Sequence, residues 1–453
     1  MAKKLAEENM TVREEKGMIA RFFRFQENGT THRREVTAGV TTFLAMAYIL
    51  FVNPAILADA GMPKGAVFTA TALSAVIGCL LMALVANYPV AIAPSMGLNA
   101  FFAYSVVIGM GVSWQTALVG VLFSGVIFLI ITVLKIREMI LNAIPQDLKM
   151  ASACGIGLFI AFIGFKNAGI VAPSEATLVT LGDLTAPGTL LTIFGLIVSI
   201  IMMVRKVPGA IFFGMILTSI VGILTGVIGV PNGIVGAVPS LDPIFGVSIS
   251  QMFAHPDQVF TLNLITVVLT FLFVEFFDTA GTLMAVATQA GLIKNNKMVR
   301  GNRALLADSS SIVAGSLLGT SPTTAYIESS SGVASGGRTG FSSIVTAALF
   351  LLALLFSPLL AVVTGNVTAP ALIIVGVLMV SVLGSIQWDK FEMAVPAFLT
   401  IIIMPLTYSV ANGIALGLVL YPITMIVRGR GKELHPIMYF LFAVFVLYFA
   451  FLA

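Results

Sequence analysis

GTSPTTAYIESSSGVASGGRTG, residues 319–340, is polar, rich in Gly, Ser and Thr, and carries one carboxylate, Glu328, yet it lies between long apolar segments. So polar and broken a backbone is tolerated at membrane depth only where it is buried in protein or lines a cavity. Pro322 blocks a continuous helix, and Thr324, Tyr326 and Glu328 alternate with Thr323, Ala325 and Ile327 at the period of a short extended segment. A half-helix restarts at about Ser329, its free N–H groups turned toward the membrane centre.

The surrounding chain sets that context. Of 453 residues, 58% are hydrophobic and 10% charged, and the mean hydropathy is +1.05. That leaves too few ionisable groups to clothe a globule, so the fold class is an all-α polytopic membrane protein. Apolar runs predict spans at 36–57, 66–86, 88–108, 114–134, 146–167, 187–204 and 208–229. A second set follows at 262–286, 304–320, 322–336, 342–364, 368–386, 392–408 and 411–427, fourteen spans in all. With residues 1–35 as a cytoplasmic segment, only Lys64 and Lys166 of the 24 Lys and Arg fall on the outer side. This pattern predicts a multi-pass protein of the cell membrane with a cytoplasmic N-terminus. The charged N-terminal run is too long for a signal-peptide n-region and precedes no short apolar core with a cleavage site. Residues 434–453 form an extra hydrophobic helix that either spans or lies at the interface. Cys79 and Cys154 read as small buried core residues. The net charge of +4 resides in loops and sets orientation, so membrane lipid is expected as a partner and nucleic acid is not.

Seven spans per half invite an inverted repeat. Ile92–Ala100 matches Ile327–Ser335 with Ile, Ser and Gly in register, and Pro89 and Pro94 interrupt span three as Pro322 interrupts span ten. Two interrupted spans at equivalent places point to a transporter's binding site. Deep in the spans stand Glu275, Asp278 and Glu328, each costing at least about 2.5 kcal/mol to insert. Glu275 and Asp278 share one face of span eight, which suits either a proton-coupling pair or a structural hydrogen-bonding one. Asp308, beside Arg303, reads as interfacial or ion-paired, and Arg338 as a positive-inside anchor.

The chain resembles the second family of nucleobase/cation symporters, in the AzgA-like branch of hypoxanthine, guanine and adenine permeases. The resemblance rests on TAGVTTFLAMAYILFVNP (37–54), APSMGLNAFFAY (93–104), FVEFFDTAGTL (273–283) and the stretch 319–340, and covers essentially the whole length. It implies the uracil-permease-like fold, a 7+7 inverted repeat with short strands from spans three and ten meeting at the substrate. Residues 36–134 and 262–364 would form a core domain, and 146–229 and 368–427 a gate domain. Glu328 and Glu275 would bind the N–H groups of the base, Asn99 would contact substrate or hold the site, and Asp278 would support binding or coupling. Tyr326, Thr324 and Ser329 complete the expected substrate-binding set. The uracil and xanthine branch carries a His on span eight; none lies there in this chain, which favours purines. The resemblance further implies proton symport with no cofactor, a purine base as substrate, and a homodimer. Two alternatives stay open: a same-fold carrier of uracil, xanthine or an anion, and an intramembrane enzyme. An anion would require a positive site, and an enzyme a facing catalytic pair that the shared helix of Glu275 and Asp278 does not supply.

Overall fold

The computed structural model describes residues 17–134, 143–294 and 297–451. Residues 1–16 of the expected N-terminal segment and 452–453 of the C-terminal one lie outside them. A helix stands in each of the fourteen expected stretches. In chain order, a short helix α1 (Met18–Phe22) precedes α2 (His32–Met46), α3 (Ile49–Asp59) and α4 (Lys64–Leu81), which runs on as a π-turn through Ala86. Strand β1 (Ile92–Pro94) leads into α5 (Met96–Ala100) and its π-helical continuation Phe101–Gly109, then α6 (Trp114–Val133) and α7 (Gln146–Asn167). A surface hairpin, β2 (Val171–Ser174) and β3 (Leu178–Leu181), is followed by α8 (Pro187–Val204), α9 (Ala210–Leu224) and the short α10 (Val247–Ala254). The second half holds α11 (Leu262–Gln289), the two-residue strands β4 (Ile293–Lys294) and β5 (Lys297–Met298), α12 (Gly301–Leu318), β6 (Thr323–Ala325) and α13 (Ser329–Ala334). It closes with α14 (Gly340–Ala353), α15 (Gly365–Val380), α16 (Phe391–Leu406), α17 (Val410–Val427) and α18 (Pro436–Phe451).

Among the described residues eight helical stretches, His32–Asp59, Lys64–Ala86 and Gln146–Asn167 among them, are long and apolar enough to cross a membrane. Hydroxyl caps start several of them. Thr31 accepts from the Arg34 N–H, Ser113 from Thr116, Thr261 from Leu264 and Ser409 from Asn412, each satisfying an otherwise orphaned donor.

The helices pack in two groups. One joins α2 to α13 and α14, α4 to α3, α12 and α14, and α6 to α11 and α12; the other joins α7 to α15 and α16, α8 to α9 and α15, and α16 to α17. The groups touch where Gly97 on α5 backs onto Ile156 of α7, a built Cβ at Gly97 meeting Ile156 Cγ2 at 2.7 Å. A cavity of about 310 Å³ also opens between the groups, lined by Ile56, Asp59, Lys64, Asn167 and Thr368. The C-terminal helix α18 buries Met438, Leu441 and Phe445, and packs on α17, while Phe445 meets Phe273 of α11 with ring centroids 4.7 Å apart. On the turn before α18, Arg430 forks onto Glu433 at 2.9 and 2.7 Å and reaches Glu392 at 3.0 Å; this hydrogen bonding holds the Glu433 carboxyl below its ordinary pKa.

Close approach inside the first group depends on a missing side chain. A Cβ at Gly332 of α13 would lie 2.0 Å from Thr42 Oγ1 and 2.6 Å from the Ala38 carbonyl oxygen of α2. Gly332→Ala is therefore expected to push α13 off α2 and to destabilise the protein by about 1–3 kcal/mol. A lowered thermal midpoint of the detergent-purified variant checks it; an unchanged midpoint contradicts it.

Candidate functional site

α12 ends at Gly319, whose φ of 87° is open to glycine and costly for any residue with a side chain. The chain then runs extended through β6 and pairs antiparallel with β1, Ile92 opposite Ala325, Ala93 opposite Thr324 and Pro94 opposite Thr323. The pairing is lengthened at both ends, by Ser95 N–H to the Pro322 carbonyl and Tyr326 N–H to the Ala91 carbonyl, each at 2.9 Å. Side chains finish the accounting: the Ala91 N–H donates to Ser329 Oγ at 3.0 Å, and the Tyr326 hydroxyl donates to the Pro94 carbonyl. The backbone polar groups freed by two broken helices thus find one another rather than lipid.

Where the strands stop, helices start. Ser95 caps α5, its Oγ accepting from the Leu98 N–H, and Glu328 occupies the N-cap position of α13 with its carboxylate turned elsewhere. That carboxylate accepts from the Tyr48 hydroxyl at 2.5 Å, within the range of a charge-assisted O–H···O⁻ bond. From α11, Asp278 Oδ2 accepts from Ser95 Oγ at 2.7 Å, and Thr279 meets Thr324 of β6 hydroxyl to hydroxyl at 3.1 Å. Asp278 and Glu328 are half-buried, whereas Glu275 and Asn99 are fully enclosed.

Of the residues expected from the sequence, Glu328, Asp278, Tyr326, Thr324 and Ser329 thus meet at the crossing of the strands. Ser329, Thr324 and Tyr326 are buried, and their hydroxyls are committed to Ala91, Thr279 and Pro94. Glu275 stands on α11 one turn before Asp278 and is wholly covered. Asn99 donates to Asn53 Oδ1 at 3.1 Å, within a buried network in which Asn53 also donates to Thr71 and Thr320.

Three expectations need correction. Glu328 does not alternate along a strand with Thr324 and Tyr326, because β6 ends at Ala325 and Glu328 already has helical backbone angles. Asp308 does not lie at an exposed surface beside Arg303: it is fully buried, while Arg303 is exposed. Arg338 is more than a charge anchor. Its guanidinium donates to the Val333 and Gly337 carbonyls at 2.7 Å, and its backbone N–H donates to buried Glu35 at 2.8 Å, satisfying the end of α13. Tyr48 and Ser95, which hydrogen-bond to the two carboxylates, join the candidate site without having been assigned to it from the sequence. Ser95 carried a legible signal, a Ser between Pro94 and a helix; Tyr48 carried none, since its role depends on a neighbour 280 positions away.

Two half-buried acceptors beside a buried polar crossing, with no ion pair from Lys or Arg to either among the described residues, suit a neutral ligand presenting N–H donors.

The profile of the permease family of xanthine/uracil type matches residues 33–416. The chain is 60% identical over 440 residues to the guanine/hypoxanthine permease PbuG of Bacillus subtilis (strain 168), covering 95% of this chain and 99% of that protein. It is 43% identical over 439 residues to the adenine permease AdeQ of Escherichia coli (strain K12), covering 96% and 97%. Among solved structures, the transmembrane domain of the cyanobacterial bicarbonate transporter BicA superposes with a TM-score of 0.62 at 18% identity, over 84% of this chain and 97% of that one. Murine Slc26a9, an anion transporter, gives 0.61 at 10% identity over 92% and 73%. At these identities the two structures share the fold alone.

Ser95 does double duty, capping α5 and donating to Asp278. Ser95→Ala is expected to cost about 1–2 kcal/mol of stability and Ser95→Thr less. Thermal midpoints of the two purified variants check the order, and equal midpoints contradict it.

Proposed function

Because this chain belongs to the xanthine/uracil-type permease family, we propose that it takes up purine nucleobases, hypoxanthine, guanine or adenine, by proton symport. It is a multi-pass membrane transporter and not an enzyme. The observation that carries the substrate reading is the pair of half-buried carboxylates, Glu328 and Asp278, each held by a neutral hydroxyl, from Tyr48 and Ser95. A purine edge offers N–H donors to such acceptors, and a neutral base needs no cation to hold it. The names of PbuG and AdeQ, a guanine/hypoxanthine and an adenine permease, support the same class. An anion, as carried by BicA or Slc26a9, would meet two acids instead.

In this reading Glu328 and Asp278 bind the base, Tyr326 supplies a ring beside it, and Asn99 holds α5 against α3 from within. Asp278 and the enclosed Glu275 behind it form the coupling pair, through which a proton accompanies each base. Transport is movement of the helical group carrying the strands, the core, against the group built on α7, α15 and α16, the gate. The tight contact of Gly97 with Ile156, made by no side chain of α5, and the cavity beside Asp59 support a parting of the two groups at that face. The N-terminus is cytoplasmic in this scheme, and gate helices of two copies pair as a homodimer.

Glu328→Gln is expected to lower uptake of radiolabelled hypoxanthine at least tenfold in a purine-uptake-deficient cell, at an unchanged membrane level. The loss corresponds to about 1.5–3 kcal/mol for a hydrogen bond to a charged group. Undiminished uptake of hypoxanthine, guanine and adenine by the variant sinks the assignment, and competition by a panel of bases ranks the substrates. A protonophore is expected to collapse accumulation; accumulation that persists on a sodium gradient alone rejects proton coupling.

A further inference from the structure

We propose that Tyr48 is the positioning residue for the Glu328 carboxyl, holding it in one orientation in both of its protonation states. The inference rests on the functional reading of Glu328 and adds a residue to it. Tyr48 lies in the joint between α2 and α3, where the helix tightens: the Leu50 N–H donates to the Ala47 carbonyl at 3.2 Å and the Phe51 N–H to the Tyr48 carbonyl at 3.1 Å. The phenol is fully enclosed, so its hydroxyl needs an internal partner, and Glu328 Oε1 at 2.5 Å is that partner. The two residues cannot easily drift apart, because α13, which follows Glu328, is seated on α2 through the close contact at Gly332.

The chemistry of the partner matters as much as its place. A Lys or Arg favours the ionised carboxylate and, like a backbone N–H, only donates, so neither can accept the proton of the neutral acid. A phenol both donates and accepts. Ionised Glu328 accepts the Tyr48 proton; protonated Glu328 donates its own proton to the Tyr48 oxygen. Either way Oε1 is occupied, and on the proposed reading Oε2 serves the base. A carboxyl that must cycle between states while presenting the same oxygen to a base is served by this arrangement, and the ring at position 48 alone does not provide it.

Tyr48→Phe removes one oxygen and keeps the ring. Its KM for hypoxanthine is expected to rise about tenfold with Vmax within about twofold of the parent, and the double variant with Glu328→Gln is expected to transport no worse than Glu328→Gln alone. The second readout needs no transport. In infrared spectra of the purified protein, the carboxyl C=O band of Glu328, identified by its loss in Glu328→Gln, is expected to move to higher frequency in Tyr48→Phe as its hydrogen bond is lost. An unchanged KM or an unmoved band overturns the proposal. If the parent protein carries no purine, the functional reading fails and the band position alone decides on Tyr48. Should Tyr48→Phe fail to accumulate, 3,5-difluorotyrosine at position 48, whose less basic oxygen is a weaker acceptor of nearly the same shape, is expected to move the band of the protonated carboxyl to higher frequency, and an unmoved band again overturns the proposal.

Discussion

The antiparallel pairing of β1 with β6 is the constraint on which the rest of the structure depends. Breaking a helix inside a membrane exposes N–H and C=O groups at several kcal/mol apiece when nothing receives them. Two breaks placed opposite each other cancel that cost, three residues of one supplying the donors and acceptors for three of the other. Hydroxyl and carbonyl groups of Ser329, Tyr326 and Pro94 close the remaining gaps. Everything at the site inherits its position from this crossing: Ser95 follows one strand, Glu328 follows the other, and α11 is tied in through Thr279 and Ser95.

Small residues make the crossing possible. Gly78 on α4 faces Ile92 of β1, where a Cβ would lie 2.6 Å from Ile92 Cγ2, and Gly332 plays the same part between α13 and α2. In lipid, where apolar burial alone does not drive helices together, such backbone-level contact supplies the dispersion energy and shields the polar strands. Buried hydroxyls add a second kind of glue: Ser311 with Thr323, Thr132 with Ser309, and Asn53 with Thr71 and Thr320 all bridge elements of the same group.

The architecture was legible in the sequence because bilayer thickness and the cost of burying charge write themselves into local patterns. Apolar runs of span length marked the helices, and Pro94 and Pro322 marked the two breaks. The restart of helix at Ser329 also followed from local signals. What failed was local pattern extended too far. The alternation from Thr323 to Glu328 read as one strand, but only three residues pair, and the chain has already turned helical at Glu328. The burial of Asp308 was not legible because one-dimensional distance to Arg303 says nothing of which helix face is covered; its side chain is enclosed within the bundle. Tyr48 was invisible for a related reason, as its partner is distant in the chain and its ring looks like any other apolar bulk.

Both half-buried acids are held by neutral hydroxyls, and this has an electrical consequence. No Lys or Arg forms an ion pair with either among the described residues, so the charge they retain is not neutralised at the site. On the proposed motion the membrane potential acts on the unloaded carrier as on a charged particle, with about 2.3 kcal/mol available per elementary charge per 100 mV. On the proposed proton symport, a proton taken up with the base would remove one unit of that charge on the inward leg. Voltage would then bear on the empty return step, and the resting potential of the cell would become part of the carrier's turnover cycle.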